Sequence, residues 1–321
     1  MNEHFQERIE CPCCGSATAS ELCRNSYTEN PLREYLLNFY GPQGGVDFYF
    51  LEDQDFILME CRDCGLIYQK EIPNGSLMSR LYEKWIDPVK SFELHEKNRD
   101  IRYFARLSSE IINIVKLFDR PPRSLSFLDY SMGWGHWCRI AQSFGCNVHG
   151  TEFSNSKATY ARSTGVTVID TDEIPFHRYD FINAEQVFEH LPEIRSTLSF
   201  LAGSLKPKGI LKIAVPNGWN IKERLKTWDW SAGKGTPNSL NAVAPLEHIN
   251  CFHHNSLVTL GKSCGLALHS PREVSQQKQQ IHGFKDGTKA FLRKCHRKLK
   301  GSDHSPLRKG TSLYFQSRDR C

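Results

Sequence analysis

Long hydrophobic segments are missing from this sequence of 321 residues. No stretch approaches the roughly 18 consecutive apolar residues of a membrane-spanning helix, so we expect no membrane span. Residues 1–12 are polar and do not resemble a secretory signal peptide, which predicts a cytoplasmic protein. No internal repeat or low-complexity tract is evident either. These absences leave an ordinary globular protein as the expected class.

A strong charge of either sign is also missing. The formal net charge is +5, which permits an anionic substrate but does not require nucleic acid as a partner. Without an export signal, the 12 cysteines predict reduced thiols or metal ligands rather than disulfides. From its length, the chain should hold one large domain with a smaller one, or two domains.

Four of the cysteines form two C-x-x-C motifs, each followed by glycine: Cys11 with Cys14, and Cys61 with Cys64. Tight turns after such motifs let four thiolates face one tetrahedral zinc ion, which then has no open position for a substrate. We therefore predict a structural zinc site, with Cys13 as a rival ligand for Cys11 or Cys14. The alternative is a set of buried thiols in a small β domain.

The segment between the two motifs contains strand-like runs at residues 46–51 and 56–60, so residues 1–72 should form a small zinc-binding β module. Residues 73–118 follow with apolar positions at helical spacing, which predicts a helical connector. A break rich in proline and arginine at residues 119–123 precedes the next unit.

Residues 127–152 combine a short apolar strand, a glycine turn, a helix, a second strand and an acid. The first strand ends at Asp129, the turn contains Gly133 and Gly135, and Glu152 follows the second strand. This order is half of a doubly wound nucleotide-binding fold, whose ligand lies at the carboxyl ends of the strands. Glycines let a ligand approach the backbone, and a carboxylate such as Glu152 can accept both hydroxyls of a ribose.

Two ligands fit this unit, a dinucleotide and S-adenosylmethionine. A dinucleotide turn has a third glycine three residues after the second, and Cys138 occupies that position here. The acid at the end of the first strand, Asp129, has no role beside a pyrophosphate but suits a ligand with an ammonium group. The pattern favours S-adenosylmethionine, and a nicotinamide-dependent oxidoreductase stays open as an alternative.

With these residues the chain resembles the class I S-adenosylmethionine-dependent methyltransferases, whose first motif is roughly (D/E)-x-G-x-G-x-G. Asp129, Gly133 and Gly135 match that motif, and Ser131 replaces its first glycine. This replacement keeps another alternative open, a catalytically inactive zinc-binding interaction protein with a degenerate methyltransferase domain.

Two further matches follow in the expected order, E-H-L at residues 189–191 and an L-K-P-x-G turn at residues 205–209. The resemblance implies an α/β fold for residues 119–321, with a doubly wound, mostly parallel seven-stranded sheet whose last strand is antiparallel. Residues 276–309 are polar and basic, and they would form an insertion before that last strand.

The resemblance also implies roles for individual residues. Asp129 should lie near the methionine part of the cofactor, and Glu152 should bind the ribose. An acid after the third strand often meets the adenine amino group, and Asp170 and Asp172 are both candidates. The loop that begins at Glu185, after the fourth strand, borders cofactor and substrate. The predicted cofactor-binding residues are therefore Asp129, Ser131, Gly133, Gly135, Glu152, Asp172 and Glu185.

The block E-H-I-N-C-F at residues 247–252 resembles one found in small-molecule methyltransferases. These include the sugar-nucleotide C-methyltransferases, which also carry an N-terminal four-cysteine zinc module. The joint occurrence implies a small-molecule acceptor such as a sugar, a sugar nucleotide or a related metabolite, with a quinone-like acceptor also open. Histidine accepts protons near neutral pH, so His248 is the first candidate for the general base, with Glu247 beside it and His190 second.

Two remaining segments bear on the substrate. The irregular, tryptophan-rich residues 217–245 are a possible substrate lid, because long loops without regular structure are often functional. The loop after the fourth strand lacks the N/D-P-P-Y/F pattern of base-amino methylases, which argues against nucleic acid as the substrate.

Overall fold

The computed structural model describes residues 2–97, 99–269 and 310–317, so the predicted basic insertion at residues 276–309 lies outside the described residues. The strands form three sheets, of seven, four and two strands. Across the described ranges, no helix combines the length and the hydrophobicity that crossing a membrane requires.

The N-terminal part contains five short strands and one helix. The two cysteine pairs lie in the turns before β2 and between β3 and β4. Strands β2, β3 and β4 pair antiparallel in order, while β1 pairs with β5 in a separate ribbon. The bounds are β1 (Phe5–Glu7), β2 (Ala19–Ser26), α1 (Leu32–Tyr40), β3 (Asp55–Cys61), β4 (Ile67–Gln69) and β5 (Glu71–Pro73).

The strand predicted at residues 56–60 is confirmed by β3, but the one predicted at residues 46–51 is wrong. Phe48–Leu51 is a short 3₁₀ helix. Asp47 caps it, because its side chain accepts a hydrogen bond from the Tyr49 amide at 3.1 Å. An aspartate that binds the backbone two residues on favours a turn over an extended strand.

The predicted helical segment follows, with α2 (Gly75–Arg80), α3 (Pro88–Glu96) and α4 (Ile101–Val115). One π-helical turn, Leu81–Trp85, extends α2. Helix α4 begins at Asp100, whose carboxylate accepts hydrogen bonds from the amides of Arg102 and Tyr103.

The remaining chain alternates strands and helices. Its strands are β6 (Ser126–Asp129), β7 (Asn147–Gly150), β8 (Thr167–Val168), β9 (Tyr179–Glu185), β10 (Leu205–Pro216), β11 (Asn250–Cys251), β12 (Leu266–His269) and β13 (Gly310–Ser317). Its helices are α5 (His136–Ser143), α6 (Asn155–Ser163), α7 (Ile194–Gly203), α8 (Ile221–Thr227) and α9 (His254–Ser263).

Seven of these strands form one sheet in the order β12-β13-β10-β9-β6-β7-β8. Strands β6 to β10 pair in parallel, and β13 pairs antiparallel with both β10 and β12. The predicted doubly wound, mostly parallel sheet with an antiparallel last strand is therefore confirmed. Central residues such as Phe127, Phe181 and Ile213 are fully buried, as expected for a sheet covered on both faces.

The seven-stranded sheet does not stand apart from the N-terminal part. Strand β11 comes from the C-terminal half of the chain but pairs with β4, with Asn250 opposite Tyr68 and Cys251 opposite Ile67. The predicted lid, residues 217–245, also packs against the N-terminal part, because the Trp230 ring contacts those of Tyr35 in α1 and Phe56 in β3. The boundaries at residues 72 and 118 stay a prediction.

Candidate functional site

The glycine turn after β6 is built from left-handed backbone conformations. Ser131, Gly133 and Gly135 have φ angles of +59°, +58° and +75°. A β-carbon on Gly135 would come within 3.1 Å of the Ala161 β-carbon, so glycine lets the start of α5 pack against α6. A β-carbon on Gly133 would meet open space, which leaves room for a ligand against the backbone there.

Asp129 lies at the carboxyl end of β6 and is only 4% exposed. Its Oδ1 accepts a hydrogen bond from Asn183 Nδ2 at 2.8 Å, and the Cys138 thiol lies 3.7 Å from Oδ2. Burial raises the pKa of Asp129 to about 7, against the opposing effect of the Asn183 hydrogen bond. A buried carboxyl with one amide donor is suited to receive a cationic group from the cleft.

Glu152, which follows β7, accepts hydrogen bonds from both the glycine turn and the start of α6. Its Oε2 accepts a hydrogen bond from the Gly133 amide at 2.8 Å, and its Oε1 accepts one from the Ser154 amide at 2.9 Å. Each oxygen keeps a second lone pair, so a ligand hydroxyl can still donate to it.

A cleft of about 270 Å³ opens above the ends of β6 and β9. Four of the predicted cofactor residues line it, namely Asp129, Ser131, Gly133 and Glu185. Gly135 and Glu152 lie behind this lining, where they shape the turn. A second wall consists of Arg99, Tyr103, Arg106 and Leu107 at the start of α4. From the sequence, Tyr103 is expected to pack rather than to face the site, and the two arginines are not singled out. The helical period of α4 shows which face is apolar, but it does not show which element the polar side chains approach.

Glu185 belongs to a group of charges at the edge of this cleft. Lys212 is buried in β10 and donates to Glu185 at 2.7 Å and also to Glu110. Burial would raise the pKa of Glu185, but the Lys212 charge outweighs it and lowers the pKa. Glu185 is therefore a paired, ionised carboxylate at neutral pH.

The structure separates the two acids that follow β8. Asp170 caps a 3₁₀ helix, Thr171–Phe176, and its side chain accepts a backbone hydrogen bond in a capping box with Glu173. Asp172 lies in the first turn of that helix and is exposed. Only Asp172 keeps a carboxylate that no described backbone group engages.

The predicted catalytic residues lie together. The rings of His190 and His248 have centroids 4.8 Å apart. Nδ1 of His190 is 3.0 Å from the main-chain carbonyl of Glu247 and 3.1 Å from the Tyr82 hydroxyl. The Glu247 side chain accepts a hydrogen bond from the Tyr40 hydroxyl at 2.7 Å. We call His190, His248, Glu247 and Tyr82, together with Glu189, the histidine cluster.

Burial controls the protonation of this cluster. It lowers the pKa of His190 to about 4 and that of His248 to about 3, so both imidazoles are neutral at physiological pH. Burial, followed by the charges of Glu247, Glu189 and Glu152, raises the pKa of Tyr82 well above its usual value. Since Glu152 acts on Tyr82, the histidine cluster lies within electrostatic range of the glycine turn.

The four cysteines of the two C-x-x-C motifs meet in the structure. Sγ of Cys11 lies 3.6 Å from Sγ of Cys64, and Sγ of Cys14 lies 3.5 Å from Sγ of Cys61. All four sulfurs lie within 4.8 Å of one another. Zinc–sulfur bonds of about 2.3 Å place the sulfurs of a tetrahedral site about 3.8 Å apart, so the arrangement fits one zinc ion. Cys13 is not in this group of four, and its thiol lies 3.4 Å from the carbonyl of Ser256.

The fold and the cleft together define a class I methyltransferase domain that uses S-adenosylmethionine. A family model described as a methyltransferase domain matches residues 99–270, which is more than half of the chain. The chain therefore belongs to this methyltransferase family, and the predicted class is confirmed.

Curated relatives match only part of the chain. The ubiquinone biosynthesis O-methyltransferase of Rhodopseudomonas palustris strain BisB5 is 30% identical over 159 residues, which cover 43% of this chain and 59% of that protein. The enzyme of strain BisA53 is 27% identical over 159 residues, with the same coverage of both chains. The match thus spans less than two thirds of the length of these relatives.

The solved structures that match the chain are less similar to it in sequence. The plantazolicin methyltransferase BamL is 13% identical, covers 75% of this chain and 94% of its own, and has a TM-score of 0.48. The magnesium protoporphyrin IX methyltransferase of Synechocystis PCC 6803 is also 13% identical, with coverage of 67% and 84% and a TM-score of 0.42.

Proposed function

We propose that this protein transfers the methyl group of S-adenosylmethionine to an oxygen or carbon atom of a small-molecule acceptor. The observation that carries the proposal is the arrangement of Asp129, Gly133 and Glu152 around one turn at the ends of β6 and β7. The buried acid suits the ammonium group of the cofactor, and the second acid suits its ribose. The open backbone position between them leaves room for the cofactor.

The surrounding residues complete a site for the cofactor. Asp129 would receive the methionine ammonium, and Glu152 would accept the ribose hydroxyls. Arg99, which the sequence did not indicate, lines the same cleft and is suited to the methionine carboxylate. Asp172 would accept from the adenine amino group.

On the acceptor side, the histidine cluster supports proton removal. The sulfonium methyl is already activated, so the protein must hold the acceptor in line with it and take a proton where the acceptor atom carries one. Both imidazoles are neutral and can accept a proton, although the lowered pKa makes each a weaker base than an ordinary histidine. His248 is our first candidate for the base and His190 the second, with Glu247 held beside them by Tyr40.

Two classes of acceptor molecule fit the proposed activity. The four-cysteine module together with the residue 247–252 block favours a sugar, a sugar nucleotide or a related metabolite. The relatives named for ubiquinone biosynthesis support a phenolic, quinone-type acceptor instead. The two classes differ in charge, because a sugar nucleotide carries a diphosphate and a quinone precursor does not.

We also assign a structural zinc ion to Cys11, Cys14, Cys61 and Cys64. The two turns are alike, since the Gly15 amide bonds the Cys11 carbonyl and the Gly65 amide bonds the Cys61 carbonyl. Four thiols packed this closely stabilise the fold once a cation converts them to thiolates.

The test is calorimetry of the full chain with S-adenosylmethionine, S-adenosylhomocysteine and NAD. We expect the first two to bind and NAD not to bind, and Glu152→Gln to weaken binding about 10- to 100-fold by loss of charge-assisted hydrogen bonds. The exposed Glu83→Gln is the matched control. NAD binding alone would support the oxidoreductase, and no binding of any of the three would support the zinc-binding interaction protein.

Transfer of a labelled methyl group to a panel of sugar nucleotides and catechols then identifies the acceptor class. Turnover with sugar nucleotides alone supports the first class, and turnover with catechols alone supports the second.

A further inference from the structure

Among the described residues, Glu189 of the histidine cluster is a buried acid to which no other residue donates a hydrogen bond. It is 0% exposed, and neither of its carboxylate oxygens makes a hydrogen bond to another residue in the described part of the chain. Within the same described ranges, no lysine or arginine lies within ion-pair distance of it. An unpaired ionised carboxylate is costly to bury, so such a group either takes up a proton or gains a counter-charge or a bound cation.

The two imidazoles beside it have fixed orientations. Nδ1 of His190 bonds the Glu247 carbonyl, and Nδ1 of His248 bonds the Asn241 carbonyl. Because a carbonyl oxygen only accepts, Nδ1 carries the proton in the tautomer that forms these two bonds, and the Tyr82 hydroxyl near Nδ1 of His190 is then an acceptor. Each neutral ring therefore has an unprotonated Nε2. Metal-ligating histidines in proteins are held in the same way, with the other ring nitrogen donating to a carbonyl or a carboxylate.

The three side chains converge on one point. One ligand atom from each of Glu189, His190 and His248 lies within 4.8 Å of the other two. Nε2 of His190 is 3.8 Å from Oε1 of Glu189. Ligands about 2.1 Å from a cation are separated from one another by about 3 to 3.4 Å, so a contraction of up to about 1.8 Å would close the site.

We propose that Glu189, His190 and His248 bind a divalent transition-metal cation, separate from the ion at the four cysteines. Two imidazoles and one carboxylate are a donor set that zinc and iron(II) accept, and it leaves positions open for a further ligand. The thiolate site, by contrast, is filled by its four sulfurs.

The use of this cation rests on the proposed function, whereas its binding does not. A cation beside the acceptor would supply Lewis acidity and lower the pKa of an acceptor hydroxyl. A lone pair that holds a metal cannot also take a proton. His248 would then act as a ligand in the loaded protein, and the acceptor hydroxyl would be the group made acidic.

The experiment uses the full chain with zinc retained at the cysteines and titrates it with Co²⁺ alone. Metal content is measured after equilibrium dialysis, and visible spectra report the ligands. We expect one equivalent of cobalt beyond zinc, with ligand-field bands and without sulfur-to-cobalt charge transfer. Glu189→Gln and His248→Gln should weaken this binding by more than about 100-fold, beyond the 10- to 100-fold typical of outer-shell changes.

Glu83→Gln is the control, since it removes an exposed carboxylate next to Tyr82 that is not a ligand, and it should bind cobalt as the wild type does. Three results would overturn the proposal: no cobalt beyond zinc in the wild type, unchanged binding in Glu189→Gln, or a sulfur charge-transfer band that places cobalt at the cysteines. Zinc content and cofactor affinity, measured on the same samples, show that each variant is folded. Cofactor binding without cobalt binding refutes this inference alone, and cobalt binding without cofactor binding refutes the proposed function alone.

Discussion

The side-chain amide of Gln69 donates to the main-chain carbonyl of His248 at 3.1 Å. The same amide donates to the carbonyl of Ala244 at 3.2 Å, and the side chain is fully buried. Gln69 ends β4, the strand that follows the second cysteine pair. The residues built around the four cysteines therefore hold the loop that carries His248, in addition to forming a sheet of their own.

This contact predicts that Gln69→Leu impairs methyl transfer without weakening the binding of the cofactor. The leucine is close in size but leaves two buried carbonyls without donors, so we expect a loss of about 1 to 3 kcal/mol in the free energy of unfolding. Methyl transfer should fall while S-adenosylmethionine affinity stays near the wild-type value, because the cofactor cleft has no lining residue before Arg99. Denaturant titration and calorimetry measure the two effects. Gln142→Leu, on the surface of α5, is the matched control, and equal effects of both variants would refute the role of Gln69.

Removal of one zinc ligand should act through the same contact. Cys61→Ser is expected to lose the zinc ion, whose binding energy in small domains is on the order of 10 kcal/mol, and with it the order of β2 to β4. The loop of His248 would lose its anchor, so acceptor turnover should fail before cofactor binding does. Cys23→Ser changes a half-buried thiol outside the group of four and should keep zinc. A Cys61→Ser protein with wild-type zinc content and melting temperature would contradict the assignment.

Asp129 predicts a pH dependence of defined sign. Its pKa is about 7 in the folded protein because of burial, against about 3.9 in an unfolded chain. The folded state therefore binds more protons between about pH 4 and 7, and this residue's contribution to stability falls as the pH rises through that window. The difference in unfolding free energy between wild type and Asp129→Asn should decline by on the order of 1 kcal/mol per pH unit there.

Asp180 provides the opposite control. Burial would raise its pKa, but hydrogen bonds and ion pairs with Lys206 and Arg120 outweigh burial and lower it. Its contribution to stability is therefore lost as the pH falls, so Asp180→Asn should give a difference curve of the other sign.

The affinity for S-adenosylmethionine should rise with pH through about 7 in the wild type and stay flat in Asp129→Asn. A flat wild-type curve would show that the ammonium group does not meet Asp129.

The sheet could be predicted because its elements follow local rules. Each parallel strand is a short apolar run closed by a glycine, an acid or a turn, and the motif order fixed which strand carries Asp129 and which carries Glu185. Ser131 was the apparent defect in that motif, and the structure explains it. Serine adopts the left-handed conformation at φ +59°, and its amide donates to the Thr151 hydroxyl at 3.2 Å, so the turn keeps its shape without the glycine.

The parts that sequence reasoning missed depend on contacts between distant segments. Strand β11 has only two residues, too few for a recognisable hydrophobic period. It is a strand because Asn250 and Cys251 pair with β4. Arg99 and Tyr103 line the cofactor cleft because α4 packs beside α5, which nothing in the period of α4 reveals. Glu189 belongs to the E-H-L motif, but the absence of a hydrogen-bond donor to it among the described residues appears only in the folded structure.

Asp170 and Asp172 are equal candidates for the adenine contact on sequence grounds, but the structure engages the Asp170 carboxylate in a helix cap and leaves that of Asp172 exposed. Asp170→Asn should keep most of the helix cap, so the free energy of unfolding should fall by less than about 1 kcal/mol. The cofactor affinity should be unchanged. Asp172→Asn should leave stability unchanged and weaken S-adenosylmethionine several-fold, since an exposed hydrogen bond to the adenine amino group is worth about 1 kcal/mol. Calorimetry with S-adenosylmethionine and its inosine analogue, which lacks that amino group, distinguishes the two acids. If Asp172→Asn weakens both ligands equally, its carboxylate does not contact the adenine amino group.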